Sequence, residues 1–248
     1  MVTMEELGYY GLFLLMPIAA FFYASVGHGG ASSYLMILAL LGFAPEQIRP
    51  TALILNMMVS MAAFLNYRKA GNFPTQLFLS LIIFSIPAAF LGGKILLDAT
   101  IYKKVLGVLL LFPVLRFGGV FPISENEKIE RAWWMGPVLG LLIGFVSGLI
   151  GIGGGIILSP IILMLGWAGV KETAALSALF IFLNSVSGFI GASSYEITIS
   201  QELWILLPIT VGGGLLGAYL GAKKFSVTAL KYLLAFVLLF ASIKLILS

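Results

Sequence analysis

Two glycine clusters carry the polar chemistry of this sequence. The first, Gly27-His28-Gly29-Gly30, is followed by Ser32 and Ser33; the second, Gly151-Ile152-Gly153-Gly154-Gly155, is followed by Ser159. Clustered glycines break a helix and let backbone come close to a ligand. A helix that begins at such a break presents unpaired N–H groups and about half a positive charge, so it attracts an anion. The serine hydroxyls would add donors to a bound oxyanion. His28 is the one histidine of the chain. It can donate to an anion or carry a proton, since imidazole titrates near neutral pH; the bland reading is a neutral ring bonded to a freed carbonyl. A second polar set follows each cluster, with Thr51, Asn56 and Ser60 in one half and Ser177, Asn184, Ser185 and Ser187 in the other. Amides and hydroxyls in an apolar helix either line a polar path or join helices, and residue type does not decide between the two. The candidate substrate-binding set is Gly27, His28, Gly29, Gly30, Ser32, Ser33, Thr51, Asn56, Gly151, Gly153, Gly154, Gly155, Ser177 and Asn184.

The missing residue types narrow the chemistry. Glu46, Asp98, Glu172, Glu196 and Glu202 fall at the ends of apolar segments or between them. A cation pump or carboxylate proton relay therefore has no obvious residues, and an acid-free interior suits an anion. There is no cysteine, which removes disulfides and thiolate metal ligands, and one histidine cannot build a multi-histidine metal site. No metal and no cofactor are expected. The second cluster lacks the Gly-Lys-Ser/Thr ending of a phosphate loop and has no strand before it. An intramembrane enzyme pairing His28 with a serine such as Ser187 is a competing reading from a different class. It has no orienting acid at membrane depth and leaves the paired glycine clusters unexplained, so no catalytic residue is assigned. A channel or scaffold competes as well, and so does a cation exporter.

These residues need apolar helices to hold them. Hydrophobic side chains make up 60% of the 248 residues and charged ones only 10%, against about a quarter charged in a soluble domain. The net charge of +4 reads as cytoplasmic loop charge and gives no nucleic-acid surface. A bilayer core about 30 Å thick takes roughly 20 apolar residues per span. Ten apolar segments are predicted: 9–26, 31–43, 50–67, 75–97, 101–117, 134–150, 155–168, 172–192, 203–222 and 227–247. Their unbroken apolar character argues against a β-barrel. Residues 31–43 and 155–168 make helices of only about 20 Å, and each follows a glycine cluster. Half-length helices at matching places in two repeats are the best sequence pointer to a transporter's binding site. Residues 1–8 carry Glu5 and Glu6 and no basic residue. This is unlike a secretory leader, so the first apolar segment is expected to stay in the mature protein.

The chain also looks duplicated. Gly27-His28-Gly29-Gly30-Ala31 aligns with Gly151-Ile152-Gly153-Gly154-Gly155, and Gly42/Ala44 aligns with Gly166/Ala168 in the same register. Leu91-Gly92-Gly93 then aligns with Leu216-Gly217-Ala218, and Leu109-Leu110-Leu111-Phe112 with Val237-Leu238-Leu239-Phe240. The expected organisation is a first transmembrane repeat over 1–115, a linker loop over 116–133 and a second repeat over 134–248, all one membrane domain. Two further glycine rows, Gly136/140/144/148 and Gly213/217/221, have the small-xxx-small spacing of close helix packing. With five crossings per half, or three crossings and a re-entrant hairpin, Arg68, Lys69, Arg116, Lys128, Arg131, Lys171, Lys223, Lys224 and Lys231 share one side. Arg49, Lys94, Lys103, Lys104 and Lys244 share the other. The positive-inside rule then favours an inverted repeat with both termini outside, although Lys103-Lys104 runs against it.

Three stretches together resemble the sulfite exporter TauE/SafE family of membrane permeases: Tyr23-Ala-Ser-Val-Gly-His-Gly-Gly-Ala-Ser-Ser-Tyr34, Arg49-Pro-Thr-Ala-Leu-Ile-Leu-Asn56, and Gly148-Leu-Ile-Gly-Ile-Gly-Gly-Gly155 followed by Ser159-Pro160. The likeness spans both halves. It implies a multi-pass inner-membrane permease for small sulfur oxyanions or organosulfonates such as sulfite, thiosulfate or sulfoacetate. His28 in the first motif stands where the second has Ile152, so the halves are not expected to act identically. The fold class expected is an all-α polytopic membrane protein of two inverted-topology repeats, each with a short helix after a glycine-rich break and three spanning helices. The expected partners are a small anionic substrate and the lipid bilayer, with no nucleic acid; a homodimer is left open.

Overall fold

The computed structural model describes residues 4–25, 27–70, 73–117, 132–194 and 201–223, together with 239, 242–243 and 246–247 near the C-terminal end. The described chain is helical throughout: α1 (Met4–Ala24), α2 (Ala31–Leu40), α3 (Pro45–Tyr67), α4 (Thr75–Gly93), α5 (Ala99–Phe117), α6 (Met135–Ile150), α7 (Gly155–Met164), α8 (Val170–Ala192) and α9 (Gln201–Lys223), with a 3₁₀ turn at Arg68–Ala70. Four stretches are long and apolar enough to cross a bilayer: Pro45–Tyr67, Thr75–Gly93, Val170–Ala192 and Trp204–Gly221. Most of the tenth predicted segment, 227–247, and most of the linker lie outside the described residues.

Matching positions start and stop the helices in the two halves. The side chain of Gln47 accepts the Ala44 N–H at 3.4 Å ahead of α3. That of Glu172 accepts the Gly169 N–H at 3.0 Å ahead of α8. Each is the reach-back arm of a capping box. Both short helices begin after a left-handed glycine, Gly30 at φ 92° for α2 and Gly154 at φ 77° for α7. A side chain is disfavoured in that conformation, which is why glycine marks the break. Asp98 caps α5 by accepting the Thr100 N–H at 2.9 Å.

Packing follows the two glycine rows. A Cβ at Gly136, Gly140, Gly144 or Gly148 of α6 would collide with Ser80, Leu81, Ser85 or Ala89 of α4. The rising numbers on both sides mean that α4 and α6 run in the same direction. Likewise Gly213 and Gly217 of α9 lie on Pro17 and Phe21 of α1, and Gly221 lies on Ser25 just after it. Backbone-to-backbone approach is what small residues permit in lipid, where the hydrophobic effect does not drive helices together. The central pair is α3 and α8, with 72% and 67% of their apolar windows buried against 50% for α4 and 33% for α9. The outer helices turn large apolar side chains outward, such as Leu79 and Ile83 on α4 and Leu141 and Leu142 on α6. That is the surface lipid requires.

One sequence expectation needs correction here. Arg49, placed by its position among the outer-side charges, is fully buried in α3. Its guanidinium donates to the carbonyls of Ile95 at 2.7 Å, Gly93 at 3.1 Å and Gly148 at 2.9 Å. These carbonyls lie at and just beyond the C-terminal end of α4 and near that of α6, where helix dipoles leave negative potential.

Candidate functional site

The two glycine motifs meet at the centre of the bundle. A Cβ at Gly29 would collide with Asn56, and one at Gly153 would sit 2.7 Å from both Asn56 Nδ2 and the Ile181 side chain. Asn56 is the middle residue of α3 and Ile181 the middle residue of α8. Both motifs therefore stand midway along the two most buried of the long helices. Gly27 packs on Ala174 of α8 and Gly151 on Arg49 of α3, so each motif is braced by the other half's central helix.

Asn56 ties the motifs together. Its Oδ1 accepts the Ala31 N–H at 3.1 Å, taking up one of the free donors at the start of α2. This bond turns Nδ2 towards Gly153. Ile181 fills the corresponding place on α8, where it offers no acceptor to the start of α7 as Asn56 does to that of α2.

His28 crosses between the halves. Its Nε2 lies 3.1 Å from Ser159 Oγ on α7, and Ser159 Oγ lies 2.8 Å from Ser177 Oγ on α8 and 2.9 Å from the Gly155 carbonyl. Beside this chain is a pocket lined by Tyr23, His28, Gly29, Gly30, Ala31, Ser32, Ile152, Ile156 and Ile181, with room for about one water-sized molecule. Ser32 donates to the Tyr23 hydroxyl at 2.9 Å on its wall. An oxyanion would need more room than this pocket offers. Among the described residues no aspartate or glutamate is buried, and no group of three or more His, Cys, Asp or Glu side chains is gathered for a metal.

Not all of the candidate set reaches this point. Ser33 bonds back to the Gly30 carbonyl at 2.7 Å and Thr51 to the Gln47 carbonyl at 2.7 Å. Asn184 lies just beyond Ile181 in sequence and faces α4: its amide donates to the Phe180 carbonyl at 2.8 Å, and its Oδ1 accepts from Ser85 at 2.5 Å. Its role there is to join helices. Ser187 donates to the Ile86 carbonyl at 2.6 Å, so the hydroxyl near His28 is Ser159. Ser159 and Ile181, which also stand at this point, are among the residues outside the candidate set. Ser159 reads in the sequence only as a hydroxyl following the second cluster, and Ile181, an apolar residue in an apolar run, gives no signal at all.

Comparison with known proteins identifies the family. The family model for the sulfite exporter TauE/SafE matches residues 12–245. The chain belongs to the sulfite exporter TauE/SafE family. It is 34% identical over 245 residues, 95% of this chain and 97% of the other, to a probable membrane transporter protein of Sinorhizobium fredii. It is 26% identical over 218 residues to a probable membrane transporter protein of Haemophilus influenzae, covering 86% of this chain and 83% of that one. A probable membrane transporter protein of Methanocaldococcus jannaschii is 28% identical over 143 residues, about half of each chain. No solved structure matches. Membership of this family makes the protein a multi-pass membrane transporter and not an enzyme.

Proposed function

We propose that the protein is a secondary permease of the cell's inner or plasma membrane for small anions. Sulfur oxyanions or organosulfonates such as sulfite, thiosulfate or sulfoacetate fit it best. The observation that carries this reading is the convergence of two half-length helices, α2 and α7, whose glycine-broken N-terminal ends meet at the middle of α3 and α8. An anion leaving water must exchange its hydration for donors, and helix N-termini supply N–H groups with partial positive charge. His28, Ser32 and Ser159 add donors beside the pocket, and no acid is buried among the described residues.

Two inverted repeats, 1–115 and 134–248 about a linker at 116–133, give such a site alternating access. Several contacts support this arrangement. The Tyr67 hydroxyl at the end of α3 donates to the Ser25 carbonyl just after α1, at 2.8 Å. Phe73, just before α4, packs on Phe64 of α3 and Phe78 of α4. Gly136 at the start of α6 rests on Ser80 near the start of α4. The end of α1 and the start of α6 thus share one side, as an inverted pair requires. With Arg49 buried rather than outside, the basic excess on the side of Arg68 and Lys69 grows, which supports that side as cytoplasmic.

The test is flux in proteoliposomes of labelled sulfite, thiosulfate and sulfoacetate, with and without a proton gradient. Saturable movement of at least one anion is expected. Movement of sodium or potassium with no movement of any anion would overturn the reading.

A further inference from the structure

The two glycine motifs are not equivalent, and a pair of buried donors shows where they differ. Asn56 Nδ2 and Ser185 Oγ are both buried, and neither has a hydrogen-bond partner among the described residues. They converge on one point, 2.7 Å and 3.2 Å from the position a Cβ on Gly153 would take. The orientation of the Asn56 amide follows from its surroundings, because its oxygen is committed to the Ala31 N–H. The nitrogen must therefore face the second motif. Buried polar groups are nearly always paired, and an orphaned donor in a native core calls for an explanation. The same bond provides the asymmetry. Asn56 already supplies an acceptor to the start of α2, whereas α7 begins beside Ile181, which has nothing to accept with. The two unpaired donors Asn56 Nδ2 and Ser185 Oγ thus face the start of α7, while at the first motif the buried Tyr34 hydroxyl beside Gly30 likewise has no partner among the described residues.

We propose that the anion's seat is at the N-terminal end of α7, where the Asn56 amide and the Ser185 hydroxyl donate to an oxyanion oxygen alongside the first backbone N–H groups of that helix. The proposal rests on the anion-permease reading above. Asn56 then works twice: its oxygen holds α2 in place and its nitrogen binds substrate. Glycine at 153 leaves the place open, since a Cβ there would press on the two donors. The motifs lie closed together in this structure, so the seat fills as they part. Ile181 in place of a second asparagine keeps α7 from being capped by its own protein.

The decisive variant is Asn56→Asp, which retains the oxygen that caps α2 and replaces the donor with a carboxylate oxygen. Uptake of labelled sulfite and thiosulfate by proteoliposomes is expected to fall roughly tenfold or more, because a donor becomes a repelling acceptor. The thermal midpoint of the detergent-solubilised variant should hold or rise, since a carboxylate suits a helix N-terminus. Ser185→Ala removes one hydroxyl and should raise KM about threefold to tenfold with kcat kept, as expected for a lost binding contact; it serves equally if Asn56→Asp does not fold. Wild-type anion flux retained in both variants, or in Ser185→Ala if Asn56→Asp does not fold, would show that Asn56 is only a cap, overturning the seat while leaving the permease reading intact. Wild-type flux of sodium or potassium in place of any anion, increased by Asn56→Asp, would overturn the permease reading and the seat with it.

Discussion

At the scale of single residues, Arg49 and His28 carry the heaviest physical demands. A guanidinium taken out of water is costly unless every donor finds a strong acceptor. Arg49 finds carbonyls of α4, the turn after it and α6, so one side chain fastens three helices. Arg49→Met leaves those carbonyls dry and should cost about 3 kcal/mol or more in unfolding free energy. Arg49→Lys keeps the charge but loses the planar fork, and should cost less than methionine does. Thermal and denaturant unfolding in detergent measures both; equal stability of Arg49→Met and wild type would refute the fastening role. His28 poses a different question, since it joins Ser159 across the two motifs. On the anion-permease reading its protonated form completes the charge match and its neutral form releases the substrate. His28→Gln keeps a donor and loses the titration. Transport should persist weakly and lose the pH dependence of the wild type. An unchanged pH profile would make His28 a packing residue.

At the scale of elements, the row Gly136/140/144/148 decides how near α6 comes to α4. The carbonyls of Leu81, Ser85 and Ala89 stand where side chains would be. Backbone cannot step aside as a flexible side chain can, so overpacking here is expensive. Gly140→Leu should lower stability by roughly 1–3 kcal/mol, or prevent folding, because it forces the two helices apart. Even Gly140→Ala places a methyl against the Leu81 carbonyl, so a smaller loss in the same direction is expected of it. By contrast, Leu142→Ala on the outward face of the same helix, where the side chain is 56% exposed, should leave the detergent melting temperature nearly unchanged. Similar losses for the outward and inward substitutions would mean that the row does not set the helix approach.

At the scale of the whole molecule, the positions of the loops report the direction of each repeat. The chain contains no cysteine, so single cysteines can be introduced without background. Lys69→Cys after α3 and Ser194→Cys after α8, both at exposed positions, should react with a membrane-impermeant thiol reagent from opposite sides of the membrane. Labelling of both from one side would rule out the inverted arrangement. Trp133, 85% exposed before α6, and Trp204, exposed near the start of α9, have the amphipathic ring that prefers the headgroup region, and they suit the two faces of the same slab.

Much of this protein follows from composition and period alone. Sixty per cent apolar content and unbroken hydrophobic runs leave helices as the way to satisfy backbone groups in lipid. Short segments after glycine clusters mark α2 and α7 because a helix cannot continue through residues that favour left-handed backbone. The small-xxx-small rows likewise state a packing rule in local spacing. Partnership between distant residues is not local. Nothing near Arg49 in sequence announces the carbonyls of Ile95 and Gly148, so its charge reads as belonging to a loop. Asn56 and Asn184 look like counterparts by residue type. The crossing of α3 and α8 instead sets Ile181 opposite Asn56 and turns Asn184 to Ser85. A side chain's face depends on helix rotation within the bundle, which many weak contacts set together. The meeting of the two motifs, and the difference between Asn56 and Ile181 beside them, therefore belong to the tertiary structure.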